Sequence, residues 1–226
     1  MTFRLIAAAL ALSLVVTPAS AQEDATAPAP APIPLAVNAD VTQDLDNILY
    51  LDLSSGRRVA IRLMPQWAPQ HVERIKTLAR SGFYDGVIFH RVIDGFMAQT
   101  GDPTGTGRGG SELPDLNAEF NAFPHVRGTV AMARAADENS ANSQFFIVFY
   151  PRFSLDRRYT NFGRVIAGMD AVDAIERGEP PANPTRILQA SIAADNKPQR
   201  FPAPEAPVSP VSTEITPLDL SNPLAN

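Results

Sequence analysis

The residues of this chain that are best suited to chemistry lie in one stretch, residues 87–102, which reads V-I-F-H-R-V-I-D-G-F-M-A-Q-T-G-D. Arg91 ends an alternating apolar run within this stretch. Phe96 and Met97 follow a glycine, and Gln99 lies two residues further on. A guanidinium that stays protonated, beside apolar side chains and an amide, suits the binding of a ligand that is neutral and partly apolar.

The direction in which Arg91 points depends on the element that carries it. The apolar alternation predicts a strand over residues 87–92, in which side chains point to opposite faces in turn. Val87, Phe89 and Arg91 would then share one face, and His90 would point to the other. We therefore expect that Arg91 and His90 do not share a site, although they are neighbours in the sequence.

The segments before this stretch predict a hairpin and a helix. The runs Ile48–Leu53 and Arg58–Leu63 are rich in strand-forming residues and flank a short turn that contains a glycine. Residues 70–80 carry apolar side chains at helical spacing, with Pro69 suited to the first turn and Gly82 to the end. The helix is expected to pack on the sheet.

The segments after it predict more strands and a second helix. Strands are predicted at residues 129–133, 143–149, 159–166 and 187–194, and a helix at residues 169–177. In the second of these strands the alternation separates two apolar sets, Gln144, Phe146 and Val148 on one face and Phe145, Ile147 and Phe149 on the other. One face can fill a core while the other lines a groove.

Residues 101–112, G-D-P-T-G-T-G-R-G-G-S-E, formally contain the G-x-G-x-x-G spacing of a nucleotide-binding loop. That fingerprint requires a strand before it and a helix after it. Here Asp102-Pro103 precedes the glycines and Leu113-Pro114 follows them, so neither element fits. We interpret the segment as a surface loop beside a groove.

Composition excludes several other kinds of site. The net charge of −5 argues against a nucleic-acid partner, which needs a basic face. The chain has no cysteine, and therefore no disulfide, thiol nucleophile or thiolate metal site. Its three histidines, His71, His90 and His125, lack metal-ligand spacing and are interpreted as structural. We expect no metal and no cofactor.

The two ends of the chain differ from its middle. Arg4, an apolar run over residues 5–16 and the Ala19-Ser20-Ala21 sequence have the pattern of a secretory signal peptide. We predict a signal peptide over residues 1–21 with cleavage after Ala21, a Pro/Ala-rich linker over 22–44, a folded domain over 45–196 and a Pro-rich tail over 197–226. The predicted location is periplasmic or secreted, without stable insertion in a membrane.

Many short strands and only two helices predict a single all-β domain, closed so that its edges are hidden. The order and spacing of four motifs make the region from about residue 45 to 195 similar to a bacterial, exported member of the cyclophilin-type peptidyl-prolyl cis-trans isomerases. These motifs are F-H-R-V-I-D-G-F-M-A-Q-T-G-D at 89–102, G-T-V-A-M-A-R at 128–134, S-Q-F-F-I at 143–147 and N-F-G-R-V at 161–165. The resemblance implies a closed eight-stranded antiparallel barrel capped by two α-helices, and cis-trans isomerisation of Xaa-Pro bonds in folding proteins without cofactor or metal.

The resemblance also assigns roles to residues. The catalytic arginine corresponds to Arg91, and the amide that orients the substrate backbone corresponds to Gln99. The proline pocket corresponds to Phe96, Met97, Phe146 and Leu155. Ala133 and Arg134 correspond to the positions that hold the residue before proline, and Arg134 follows the bacterial pattern where eukaryotic members have asparagine. Proline-containing polypeptides are the implied partners, and the protein is expected to act as a monomer.

Two positions depart from the family pattern. Ser154 stands where many members carry tryptophan or phenylalanine, with Phe153 one residue earlier, so either Phe153 fills the gap or that wall of the pocket is thinner. Tyr159 stands where a histidine often closes the groove, and its phenol offers similar surface and a hydrogen bond. The competing function is a proline-peptide binding module or chaperone on the same barrel, with little turnover.

Overall fold

The structure is a computed structural model that describes residues 36–202. The predicted signal peptide, residues 22–35 of the predicted linker and the tail from residue 203 onward lie outside the described residues. Among those described, no helix combines the length and the apolar character that a membrane crossing requires.

Eight strands and two helices make up the fold. They are β1 (Ile48–Leu53), β2 (Arg58–Leu63), α1 (Pro69–Arg80), β3 (Arg91–Ile93), β4 (Met97–Thr100), β5 (Thr129–Met132), β6 (Phe145–Val148), β7 (Asn161–Ala167), α2 (Met169–Asp173) and β8 (Ile187–Ile192). Three single-turn 3-10 helices accompany them, at Leu45–Asn47, Phe153–Leu155 and Ala193–Asp195. The strands form one antiparallel sheet in the order β3-β4-β6-β5-β7-β2-β1-β8.

The prediction of a closed barrel is wrong, because the sheet is an open half-barrel whose edge strands are β3 and β8. On the outer side of β3, Val92 pairs with a loop. Its N–H donates to the Gly178 carbonyl at 2.8 Å, and its carbonyl accepts from the Gly178 N–H at 2.9 Å. Residues 86–89, just before β3, form only a few backbone hydrogen bonds to residues 185–187 at the other edge, such as Phe89 N–H to the Thr185 carbonyl at 2.9 Å. A loop therefore covers the edge that a closing strand would have filled.

The first hairpin and the first helix are confirmed. β1 and β2 have the predicted bounds, and α1 begins one residue early, with Pro69 in its first turn. The apolar side of α1 is fully buried on the sheet through Val72 and Ile75. Gly82 follows the helix at φ +76°, a conformation that a side chain strains.

The second helix is shorter than predicted. α2 ends at Asp173, although the apolar spacing continues to Ile175, which is buried in the same core. The guanidinium of Arg177 donates to the carbonyl oxygens of Asp173 and Ile175, and its plane lies 4.3 Å from the centre of the Phe149 ring. Side-chain capping of the last carbonyls replaces another helical turn.

The chain before β1 is fastened to the sheet by one buried arginine. Arg62 is 2% exposed and lies on β2. Its guanidinium donates to the carbonyl oxygens of Asn38, Asp40, Gln43 and Asp44 at 2.6–3.1 Å. A buried cation is tolerated when its donors are satisfied in this way, so residues 38–44 are packed against the domain.

Candidate active-site groove

A groove of about 730 Å³ opens on the outer face of β4, β5 and β6. All nine residues that the sequence singled out line it: Arg91, Phe96, Met97, Gln99, Ala133, Arg134, Phe146, Leu155 and Tyr159. Six further residues complete the lining: His90, Gly105, Thr106, Gly107, Glu179 and Pro180. The structure therefore brings together residues on or beside four neighbouring strands, β3, β4, β6 and β5, and residues of the loops around them.

The alternation along β6 separates the groove from the core, as predicted. Phe146 and Val148 belong to a small apolar cluster with Met97, while Phe145 and Ile147 belong to the main core. Phe146 is 5% exposed, and its ring meets that of Tyr159 edge-on at 5.7 Å. The floor of the groove is thus apolar and rigidly held, which suits a ring of similar size to a proline.

Strand register places the key side chains in one row across the sheet. Arg91 of β3 is paired with Gln99 of β4, Gln99 with Phe146 of β6, and Phe146 with Ala131 of β5. Directly opposed residues on neighbouring strands have their side chains about 5 Å apart. This row sets a cation, an amide and an aromatic ring side by side.

A polar chain continues from Arg91 into the glycine-rich loop. Arg91 Nη1 lies 3.5 Å from Gln99 Oε1, and Gln99 Nε2 donates to Gln144 Oε1 at 2.9 Å. Gln144 Nε2 in turn donates to the carbonyl oxygens of Gly107 and Gly109 at 3.1 and 2.8 Å. Sequence reasoning placed Gln144 on the correct face but did not identify it as part of this network.

Arg91 has a second partner that no sequence pattern predicts. Its Nε donates to Glu179 Oε2 at 2.7 Å, and the two side chains are 42% and 51% exposed. Glu179 follows α2 in a loop, 88 residues further along the chain. No local pattern marks such a contact, because it depends on the packing of that loop against β3.

The predicted separation of Arg91 from His90 is wrong, since both line the groove. Residues 87–90 are not part of a regular strand, and Phe89 and Val92 are both in the core. The alternation is therefore broken between Phe89 and Val92. Burial lowers the pKa of His90, and neither of its ring nitrogens has a hydrogen-bond partner among residues 36–202.

The loop beside the groove is organised by the buried Asp102. Its carboxylate accepts hydrogen bonds from the backbone N–H groups of Thr104 and Gly107 and from the Thr104 hydroxyl, at 2.6–2.8 Å. Burial alone would raise the pKa of Asp102, but these hydrogen bonds lower it to about 2. The interpretation of residues 101–112 as a surface loop beside a groove is confirmed, with Gly105 in the groove wall.

The two positions that depart from the family pattern differ in their surroundings. Tyr159 packs on Phe146 and lies under the guanidinium of Arg134, 4.9 Å from the ring centre. Phe153 is 63% exposed, and neither it nor Ser154 is among the groove residues. Phe153 therefore does not fill the gap at Ser154, and the groove wall is thinner there. The Arg152 guanidinium is stacked on the Phe96 ring, 4.7 Å from its centre.

The other two histidines are buried in pairs with carboxylates. His71 Nδ1 lies 2.7 Å from Glu119 and His125 Nδ1 lies 2.9 Å from Asp156. Burial lowers the pKa of both imidazoles, against the opposing effect of these carboxylates. Within the described part of the chain, no group of three or more histidine and acidic side chains is placed to hold a metal ion.

Comparison with known proteins gives a consistent result. The family model described as "Cyclophilin type peptidyl-prolyl cis-trans isomerase/CLD" matches residues 49–192. A "Probable peptidyl-prolyl cis-trans isomerase" of Brucella suis is 48% identical over 178 residues, which cover 72% of this chain and 90% of that protein. The isomerase ppi1 of Schizosaccharomyces pombe is 38% identical over 148 residues, which cover 62% of this chain and 95% of that protein.

Solved structures are similar in the same region. The cyclophilin AquaCyp293 of Hirschia baltica has a TM-score of 0.63 and 30% identity, covering 69% of this chain and 77% of that chain. A cyclophilin-type isomerase of Cryptosporidium parvum, determined in the presence of the dipeptide Ala-Pro, has a TM-score of 0.60 and 28% identity. That match covers 64% of this chain and 98% of the Cryptosporidium chain.

Proposed function

This chain belongs to the cyclophilin-type peptidyl-prolyl cis-trans isomerase family, and on that premise we propose how its own residues accelerate Xaa-Pro rotation. Arg91 donates a hydrogen bond to the prolyl nitrogen in the twisted transition state. The observation that carries the proposal is the row of Arg91, Gln99 and Phe146 across β3, β4 and β6, beside the apolar floor of the groove.

The chemistry of the peptide bond explains why an arginine suits this role. Rotation about the C–N bond costs ~18–20 kcal/mol because it breaks amide conjugation. At the twisted geometry the nitrogen lone pair is released and accepts a hydrogen bond, which the planar cis and trans forms do not. A donor aimed at that nitrogen therefore stabilises the transition state more than either ground state. An arginine guanidinium supplies such a donor on a planar, positively charged group.

The apolar residues of the groove hold the pyrrolidine ring of the substrate proline in place while the peptide bond rotates. We assign Phe96, Met97, Phe146 and Leu155 to contact with the pyrrolidine ring, with Tyr159 closing one side. Exclusion of water by these side chains strengthens the hydrogen bond from Arg91, since charges interact more strongly in a less polar medium. The buried positions of Met97 and Phe146 support this assignment.

The polar residues are assigned to the substrate backbone. Gln99 is anchored through Gln144 to the glycine-rich loop, so its amide is held in one orientation while the peptide rotates. Ala133 and Arg134, at the end of β5, are assigned to the residue before proline. Arg134 is itself fixed by hydrogen bonds to the Arg158 carbonyl at 3.0 and 3.1 Å. No nucleophile or general base takes part in this mechanism.

The substrates are proposed to be proline-containing segments of folding proteins outside the cytoplasm. The signal-peptide pattern of residues 1–21 supports export to the periplasm or the medium. The determination of the Cryptosporidium relative with Ala-Pro supports proline-containing peptides as ligands. The protein is proposed to act as a monomer, since Arg91, Gln99 and the apolar floor already form a continuous groove that needs no residue from a second copy.

The test is isomerisation of a short Ala-Xaa-Pro-Phe peptide, followed by exchange between its cis and trans NMR signals. Uncatalysed exchange takes roughly 10–100 s, so a small amount of active enzyme gives a clear acceleration. The thin wall at Ser154 favours a second candidate, a proline-peptide binding module. Binding of the peptide without accelerated exchange would establish that candidate and exclude the mechanism above.

A further inference from the structure

We propose that Glu179 is a positioning residue, which holds the guanidinium of Arg91 in the orientation that catalysis requires. The inference rests on the function proposed for Arg91. Glu179 does not touch the substrate in this account and acts through the arginine alone. The carrying observation is the 2.7 Å hydrogen bond from Arg91 Nε to Glu179 Oε2 at the mouth of the groove.

The side of the guanidinium that Glu179 contacts determines which donors of Arg91 remain for a substrate. Arginine presents its donors as a rigid planar fork, with Nε on one side and the two terminal nitrogens beyond it. Glu179 binds the Nε side, and Gln99 Oε1 lies 3.5 Å from Nη1. The plane of the guanidinium is thus held from two directions. The hydrogens of Nη2 and the second hydrogen of Nη1 are left for a substrate.

The loop that carries Glu179 is built to stay beside β3. Gly178 exchanges two backbone hydrogen bonds with Val92, the residue after Arg91. It has φ +147°, and a Cβ at this position would lie 2.5 Å from Pro181 Cα, so only glycine fits. On the other side of the loop, Glu176 accepts a hydrogen bond from the Asn183 N–H at 3.2 Å. Glu179 therefore reaches Arg91 from a fixed backbone.

Glu179 has two opposite effects on the ability of Arg91 to stabilise the transition state. Its negative charge reduces the positive potential of Arg91, whereas its hydrogen bond restricts a long side chain to one orientation. The pair is 42% and 51% exposed, so water and salt screen most of the charge effect. Orientation is not screened, and a hydrogen bond to the transition state depends strongly on the position of the donor. We expect the positioning effect to dominate.

The test compares Glu179→Ala and Glu179→Gln in the chain without residues 1–21. Loss of an exposed pair of this kind corresponds to a change of about 1.5-fold to fivefold. Glu179→Ala is expected to lower kcat by that factor with an unchanged KM for an Ala-Pro peptide. Glu179→Gln keeps an oxygen that accepts from Nε, and it is expected to recover most of the lost kcat.

One spectroscopic readout and one control variant separate positioning from a merely structural role. The NMR signal of the Arg91 Nε–H is expected to be protected from exchange with water in the wild type and in Glu179→Gln, but not in Glu179→Ala. Asp94→Ala is the matched control, since Asp94 is 84% exposed and pairs with Arg177 rather than with Arg91. It removes a neighbouring carboxylate and is expected to leave kcat and the Arg91 signal unchanged.

Failure of the positioning role of Glu179 and failure of the proposed function of Arg91 would give different results. An unchanged or raised kcat in Glu179→Ala would overturn the positioning role, and so would an equal loss in Asp94→Ala. In an Arg91→Lys background the fork is absent, so Glu179→Ala is expected to have no further effect on kcat. Full activity of Arg91→Lys itself would instead remove the proposed function of Arg91, which is a different failure from that of Glu179.

Discussion

Phe145 and Phe146 are neighbours in β6 that face opposite sides of the sheet, and their truncation to alanine should separate stability from activity. Phe145 is fully buried in the core, where its ring meets Tyr84 at 5.6 Å and Phe162 at 6.1 Å, both edge-on. Phe146 is also buried but borders the open groove. The same substitution therefore removes a ring from two different environments.

Phe145→Ala leaves a cavity enclosed by core side chains. Substitutions of this kind lower the free energy of unfolding by ~3–5 kcal/mol, because the cavity adds to the loss of apolar burial. Phe146→Ala only enlarges a groove that water already enters, so the transfer cost alone applies. That cost is about 1.5–3 kcal/mol. Urea unfolding followed by circular dichroism measures both values.

The effect on activity should run in the opposite order. Loss of the Phe146 ring removes contact with about two methylene groups of the substrate proline, at ~0.8 kcal/mol each. The resulting ~1.6 kcal/mol corresponds to a fall of about 15-fold in kcat/KM. Phe145→Ala, assayed where it remains folded, should stay close to the wild-type kcat/KM. The measurement is cis-trans exchange of an Xaa-Pro peptide.

Similar losses in the two variants, in both stability and activity, would contradict this separation. Equal losses of stability would mean that the groove floor is part of the enclosed core. An unchanged kcat/KM in Phe146→Ala would mean that the proline ring does not rest on this side chain. Either result would refute the assignment of the two faces of β6.

Three further predictions follow from particular contacts. Gln99→Leu keeps the volume but removes the amide between Arg91 and Gln144, so kcat/KM should fall about tenfold; wild-type activity would contradict this role. Arg62→Met removes the donors to four carbonyl groups and should make residues 38–44 accessible to limited proteolysis, with about 2 kcal/mol less stability; unchanged cleavage would disprove the anchoring. Burial lowers the pKa values of the three buried histidines, so the unfolded chain binds protons before the folded protein does as the pH falls. The free energy of unfolding should therefore decrease below about pH 6.5. A constant free energy of unfolding from about pH 7 to 5 would contradict the burial of these side chains.

The parts of the fold that the sequence predicted well are those with strong local periodicity. The β1–β2 hairpin and α1 have regular apolar spacing between clear turn residues, and their bounds agree within one residue. The two faces of β6 were predicted because alternation alone determines them. These signals depend on residues close together in the chain, and tertiary packing did not override them.

Apart from the shorter α2, the incorrect predictions concern the edge of the sheet near β3. The apolar alternation of residues 87–92 has the pattern of a strand, yet only Arg91–Ile93 forms one. Gly178 pairs with the backbone of Val92 from a loop, the sheet is open at this edge, and His90 lies in the groove. Glu179 reaches Arg91 through the same loop. Such contacts depend on residues far apart in sequence, and no local spacing predicts them.

The most direct test of the central claim is to measure kcat and peptide affinity separately for Arg91→Lys and Arg91→Ala. If the guanidinium acts on the twisted transition state, both variants should bind a proline peptide almost as well as the wild type. Their kcat should fall by about 10²–10³-fold, the usual effect of removing one well-placed donor. A kcat close to that of the wild type, or a loss that lies entirely in peptide affinity, would contradict the account.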